Sequence, residues 1–195
     1  VITAYTLAFG SLLLLGGRIG DYVGRKKIFI IGLIGFASAS ALGGFATNQG
    51  MLYGSRALQG VFGALLAPAA LAIISETFKD PSERAKAFGV FGAISGGGAA
   101  IGLIVGGTLT EFFSWRWCLG VNTPIAIIAA TLALKFVHES KAEGDNTYDI
   151  PGVVTATAGL FSLTYGFNEA ALKGWSSAAT ISFLVAAVVL LIVFV

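Results

Sequence analysis

An all-α, polytopic membrane protein is the fold class this sequence predicts, and three observations predict it. Of the 195 residues, 56% are hydrophobic and only 11% are charged, against roughly 25% charge in soluble domains. The mean hydropathy is +0.86, so most of the surface must face something other than water. Apolar runs of about twenty residues recur along the chain, long enough to cross a hydrocarbon layer of roughly 30 Å as helices. No alternating barrel pattern is visible, and lipid offers backbone groups no partner, so helices are the form these runs must take.

About seven spans of this kind can be placed, over 1–16, 28–46, 51–74, 87–110, 117–137, 150–170 and 176–195. The first two flank a polar island, Gly17 to Lys27, that holds Arg18, Asp21, Arg25, Lys26 and Lys27. It predicts a loop. The turn at 47–50 carries no charge, whereas the link at 75–86 holds Glu76, Lys79, Asp80, Glu83, Arg84 and Lys86. The link at 138–149 is acidic on balance. The chain opens without Met and is still apolar at Val195, which predicts a piece of a longer membrane protein.

Lys and Arg alone orient such a chain. Links on the island's side hold Arg18, Arg25, Lys26, Lys27, Lys79, Arg84, Lys86 and Lys141, and links on the other side hold Arg116 and Lys173. The island is therefore expected in the cytoplasm of a multi-pass cell-membrane protein. Trp115, Trp117 and Trp175 then fall at the outer interface, where amphipathic rings anchor helices.

Two spans carry features beyond hydrophobicity. Arg56 lies about five residues, or roughly 8 Å, into the third span, and Gln59 and Gly60 follow it within a turn. An intramembrane arginine costs at least about 2.5 kcal/mol unless it finds a partner or a cavity, so it is a candidate cavity residue. Snorkelling to the interface is the structural alternative. In the fourth span Gly92 and Gly96, then Gly98, Gly102 and Gly106, recur at a spacing of four. Such a face lets another helix backbone approach closely in lipid. Tyr5, Tyr53 and Phe62 suit either packing or an apolar cavity. Pro68 and Pro124 fall within spans, where either can kink its helix.

Other classes fit poorly. The single His138 lies in a link and the single Cys118 has no basic partner in sequence. The run Gly96-Gly97-Gly98 lacks the Gly-Lys-Ser/Thr of a phosphate loop. No enzyme, metal site or cofactor is expected, and a net charge of +2 gives no case for nucleic acid.

Together these pieces resemble the major facilitator superfamily, in particular its fourteen-span drug:proton antiporter branch. Gly17-Arg18-Ile19-Gly20-Asp21-Tyr22-Val23-Gly24-Arg25-Lys26-Lys27 is similar to the superfamily's loop signature. Arg56 with Gln59-Gly60 and Gly63 is similar to the arginine signature of its fourth helix. Gly98, Gly102, Gly106 and Gly107 are similar to the antiporter signature of its fifth helix, although Leu103 stands where the family usually has proline. Ser114-Trp115-Arg116-Trp117, Asn122-Thr123-Pro124, Asp149-Ile150-Pro151-Gly152 and Gly174-Trp175 are similar to further landmarks.

The resemblance implies that 1–137 is most of an N-terminal bundle, the family's second to sixth helices. It makes 138–149 a cytoplasmic loop and 150–195 the extra central pair, the family's seventh and eighth. It implies a secondary transporter, with proton-coupled efflux of drugs or other amphipathic molecules by alternating access. A metabolite or siderophore exporter, a symporter, or a non-transporting sensor of the same fold are the alternatives. Partners are a small-molecule substrate, protons, the bilayer and the remaining helices of the parent. Asp21 would pair with a helix end of the second bundle, with Arg25 holding it and Lys26 and Lys27 fixing topology. Arg56 would tune a proton carrier outside this chain.

Overall fold

The computed structural model of the chain describes residues 2–141 and 149–194. All regular structure among them is helical: α1 (Ile2–Val23), α2 (Arg25–Gly44), α3 (Gln49–Thr77), α4 (Pro81–Phe112), α5 (Trp115–Gly120), α6 (Asn122–Phe136), α7 (Ile150–Lys173) and α8 (Ala178–Phe194). By length and composition α1, α2, α3, α4 and the stretch Trp115–Phe136 can each cross a membrane. This is a partial helical membrane bundle. Of the other two predicted spans, α7 is long but diluted by polar residues such as Asn168, Glu169 and Lys173, and α8 is apolar apart from Thr180 and Ser182 but has 17 residues.

The polar island is not an open loop. Helix α1 runs through it to Val23, α2 starts at Arg25, and Gly24 alone lies between. Gly24 N donates to Gly20 O at 3.1 Å and Ile28 N donates to Gly24 O at 3.0 Å, so a single residue leaves the helical ladder. The link expected at 75–86 shrinks in the same way to 78–80. Asp80 accepts from the backbone of Ser82 (2.9 Å) and Glu83 (3.1 Å), and Pro81 opens the first turn of α4. A cap of this kind contributes about 1 kcal/mol. The fifth predicted span divides at Val121, because Pro124 lacks the N–H that Gly120 O would accept. Pro68, in contrast, stays inside α3 without ending it.

Helix α3 is the spine. It packs against α1 and α2; α6 covers α2, and the α7–α8 pair leans on α1 through α7. Close approach depends on glycines other than the stripe in α4. A Cβ on Gly16 would sit 2.1 Å from Ala64 O of α3, and one on Gly60 would sit 2.4 Å from Tyr5 O of α1. The backbones of α1 and α3 therefore touch at two levels, with van der Waals contact as the attraction. Between α2 and α6 the cluster is Leu33, Ala37 and Ala126, extended by Phe29, Leu66, Ala129 and Ala130. Helix α4 has no buried residue. It touches α3 and α5, and nothing among the described residues lies within 4 Å of a Cβ built on Gly98, Gly102, Gly106 or Gly107.

Gly16→Leu should therefore wedge α1 away from α3. Overpacking of this kind costs about 1–3 kcal/mol, and a fall in the melting temperature of the purified protein in detergent is the check.

Candidate functional site

Two polar clusters stand out of the apolar bundle, one at the Gly24 junction and one in its interior. At the junction the backbone of Gly24 has φ 125°, a conformation that favours glycine. This bend sets Arg25, the first residue of α2, between two carboxylates. Its Nε and Nη2 donate to Asp21 Oδ1 at 3.1 and 3.0 Å, and its Nη1 donates to Glu76 Oε2 at 3.3 Å. Asp21 belongs to α1 and Glu76 to the last turn of α3, so one guanidinium joins three helices. Its side chain is 16% exposed, against 34% for Asp21 and 43% for Glu76. Lys79 Nζ closes on the other oxygen of Glu76 at 2.5 Å. Arg18 donates to the Tyr22 hydroxyl at 2.8 Å and lies over its ring.

The segment after α6 folds back on the same junction. Lys26 N donates to Glu139 Oε1 at 3.1 Å and Lys27 N to Glu139 Oε2 at 3.2 Å. Arg25 N donates to Ser140 O at 2.9 Å, and Lys26 Nζ donates to Leu134 O at 2.9 Å. Of the predicted site residues, the structure thus brings together Asp21, Gly24, Arg25 and Lys26. Gly20 is buried one turn before the bend, and Gly17 faces Pro68 of α3. Glu76, Glu139 and Ser140 were not among them. They are distant in sequence, and only the fold delivers them.

In the interior, Arg56 Nη1 donates to Gln59 Oε1 at 2.5 Å, and Gln59 Nε2 donates to Ser40 Oγ of α2. Gln59 and Ser40 are each fully buried. The guanidinium lies 4.8 Å from the ring centroid of Tyr5 on α1, which stacks on Phe9 at 5.7 Å. A half-buried cation over an aromatic face gains about 0.5–2 kcal/mol, so α1 and α3 both offset the cost of placing Arg56 within the bundle. Its Nε is buried with no hydrogen-bond partner among the described residues. Gly60, expected beside a cavity, lies under the backbone of α1. Phe62 packs where a side chain on Gly35 would stand, while Tyr53 is exposed.

A cleft of about 730 Å³ opens between α1, α3, α7 and α8, lined among others by Leu13, Arg18, Asp21, Pro68, Asp149 and Phe194. Its walls are apolar and its charges gather at the junction end. A chain with several helices long and apolar enough to cross a membrane, ionic contacts at helix ends and an arginine within the bundle is suited to a role in the membrane.

Comparison with known proteins agrees. The family description Major Facilitator Superfamily matches residues 1–195. The chain is 52% identical over 195 residues to the puromycin resistance protein pur8 of Streptomyces alboniger, covering all of this chain and 38% of that protein. It is 40% identical over 181 residues to the cephamycin export protein CmcT of Amycolatopsis lactamdurans, covering 92% and 37%. It is 36% identical over 185 residues to the multidrug efflux pump LfrA of Mycolicibacterium smegmatis, covering 95% and 37%. The chain thus spans under two fifths of the length of these relatives. The match of this family over residues 1–195 shows that the chain belongs to the major facilitator superfamily.

Proposed function

We propose that this chain forms part of a secondary active exporter that moves drugs or other amphipathic small molecules across the cell membrane, driven by protons. The observation that carries the reading is the 52% identity to a puromycin resistance protein over the full chain. The junction supports it physically. Transporters of this kind rock one helical repeat against another around a site near the midplane, and rocking needs contacts at the helix ends that hold and then release.

Exposed or half-exposed ion pairs contribute only about 0.2–1 kcal/mol each, which suits a latch. On this reading the junction lies in the cytoplasm, where the excess of Lys and Arg belongs. Arg25 holds Asp21, and the exposed part of that carboxylate meets a helix N-terminus in the rest of the protein. Arg56, aimed by Gln59, lies beside the transport cavity and lowers the proton affinity of a carboxylate there. The stripe Gly98, Gly102, Gly106 and Gly107, open on α4, receives another helix of the parent protein. Export of a metabolite made by the cell itself is the second reading, favoured by the relative named for cephamycin export.

The test uses the full-length parent in inverted membrane vesicles with puromycin as the probe. An inside-acid gradient should drive accumulation, and a protonophore should abolish it; no gradient-dependent accumulation of puromycin or of other cationic drugs would refute drug export. Asp21→Asn should lower the transport velocity about two- to fivefold, the rate equivalent of a 0.3–1 kcal/mol helix-end contact, with normal amounts of protein in the membrane. Arg56→Ala should retain exchange of drug for drug yet lose acceleration by the pH gradient. Full coupling in that variant would remove Arg56 from the proton path.

A further inference from the structure

We propose that Glu139 is a positioning residue for the Asp21–Arg25–Glu76 bridge; its role in transport rests on the efflux reading above. Glu139 lies beyond α6, more than a hundred residues from the island in sequence, and its two carboxylate oxygens accept from the backbone N–H groups of Lys26 and Lys27. These are first-turn groups of α2 that have no partner within their own helix. Helix α2 has no side-chain cap of its own at Gly24, so the carboxylate from the far segment does that work. The backbone is shaped to admit it: a Cβ on Gly24 would lie 2.6 Å from Glu139 Oε1.

Two further bonds fix the same contact, Arg25 N to Ser140 O and Lys26 Nζ to Leu134 O. Arg25 is therefore held by its backbone to the segment after α6 and by its side chain to α1 and α3. The first residues of the 138–149 link set the direction in which the guanidinium points. At the other end of that link Asp149 Oδ1 accepts from Gly152 N at 2.9 Å, capping α7. The link thus ends on a capping carboxylate at both sides, one on α2 and one on α7.

The test compares Glu139→Gln with the parent in the full-length protein. Gln keeps the shape but turns an N–H donor toward an N–H donor. Backbone exchange at Lys26 and Lys27 should rise about tenfold, as expected when local opening is eased. The melting shifts of Glu139→Gln and Glu76→Gln should be non-additive, because both act through Arg25. Puromycin transport should lose velocity about threefold or more with KM within about twofold, the pattern of a lost step rather than lost binding. Unchanged exchange, additive melting shifts, or parental velocity in Glu139→Gln would each overturn the proposal. A parent that moves no drug would sink the efflux reading and leave exchange and melting to decide this one.

Discussion

The guanidinium of Arg25 stands between Asp21 on α1 and Glu76 on α3, and the shape of this end of the bundle follows from keeping it there. Lipid gives apolar helices little reason to choose one neighbour over another, since a leucine is as content against acyl chains as against protein. Registration must come from a few contacts that lipid cannot replace. A planar donor with a fixed fork supplies one, because its N–H groups reach two carboxylates at once. The bend at Gly24 brings that donor to the mouth between α1 and α3, with the carboxylate of Glu139 behind it.

The interior cluster answers to the same logic at a different depth. Arg56, Gln59 and Ser40 form a polar line across α3 and α2, with the Tyr5 ring of α1 beneath the cation. Each group would be costly in hydrocarbon alone. Together they tie the three helices that Arg25 ties at the end, and Gly16 and Gly60 let α1 and α3 approach closely enough for both ties to form. Two polar contacts and two backbone contacts thus define one three-helix unit. The α7–α8 pair is attached more lightly, through Thr3 to Asn168 at 3.3 Å and the packing of Gly10 on Thr164.

Much of this was legible in the sequence, and the part that was not has physical causes. Apolar runs separated by charge mark membrane helices because the bilayer imposes a length, so the first five spans could be found from hydropathy. The island read as a loop because its charges and glycines resemble solvated turns. Yet Asp21 and Arg25 are four apart, and that spacing is also a helical ion pair; the helix continues on both sides of Gly24. Arg56 was visible because a cation in an apolar run must be explained; Tyr5 could be singled out but not matched to Arg56, and Ser40 was not visible, since a hydroxyl in a span is ordinary. Gly16 lay next to the charged island and carried no spacing signal. The α4 stripe carried a strong one but has no partner among the described residues, so periodicity located a contact surface without its occupant. Glu139 was beyond reach, because a contact across the whole bundle has no local trace.

At the junction a fork-shaped cation, not merely a positive charge, holds α1, α2 and α3 in register. The transport velocity of the full-length protein carrying Arg25→Lys measures this most directly, since lysine keeps the charge and loses the fork. Normal insertion into the membrane is expected, with velocity lowered about tenfold, the equivalent of roughly 1.4 kcal/mol. Parental velocity in that variant would contradict it.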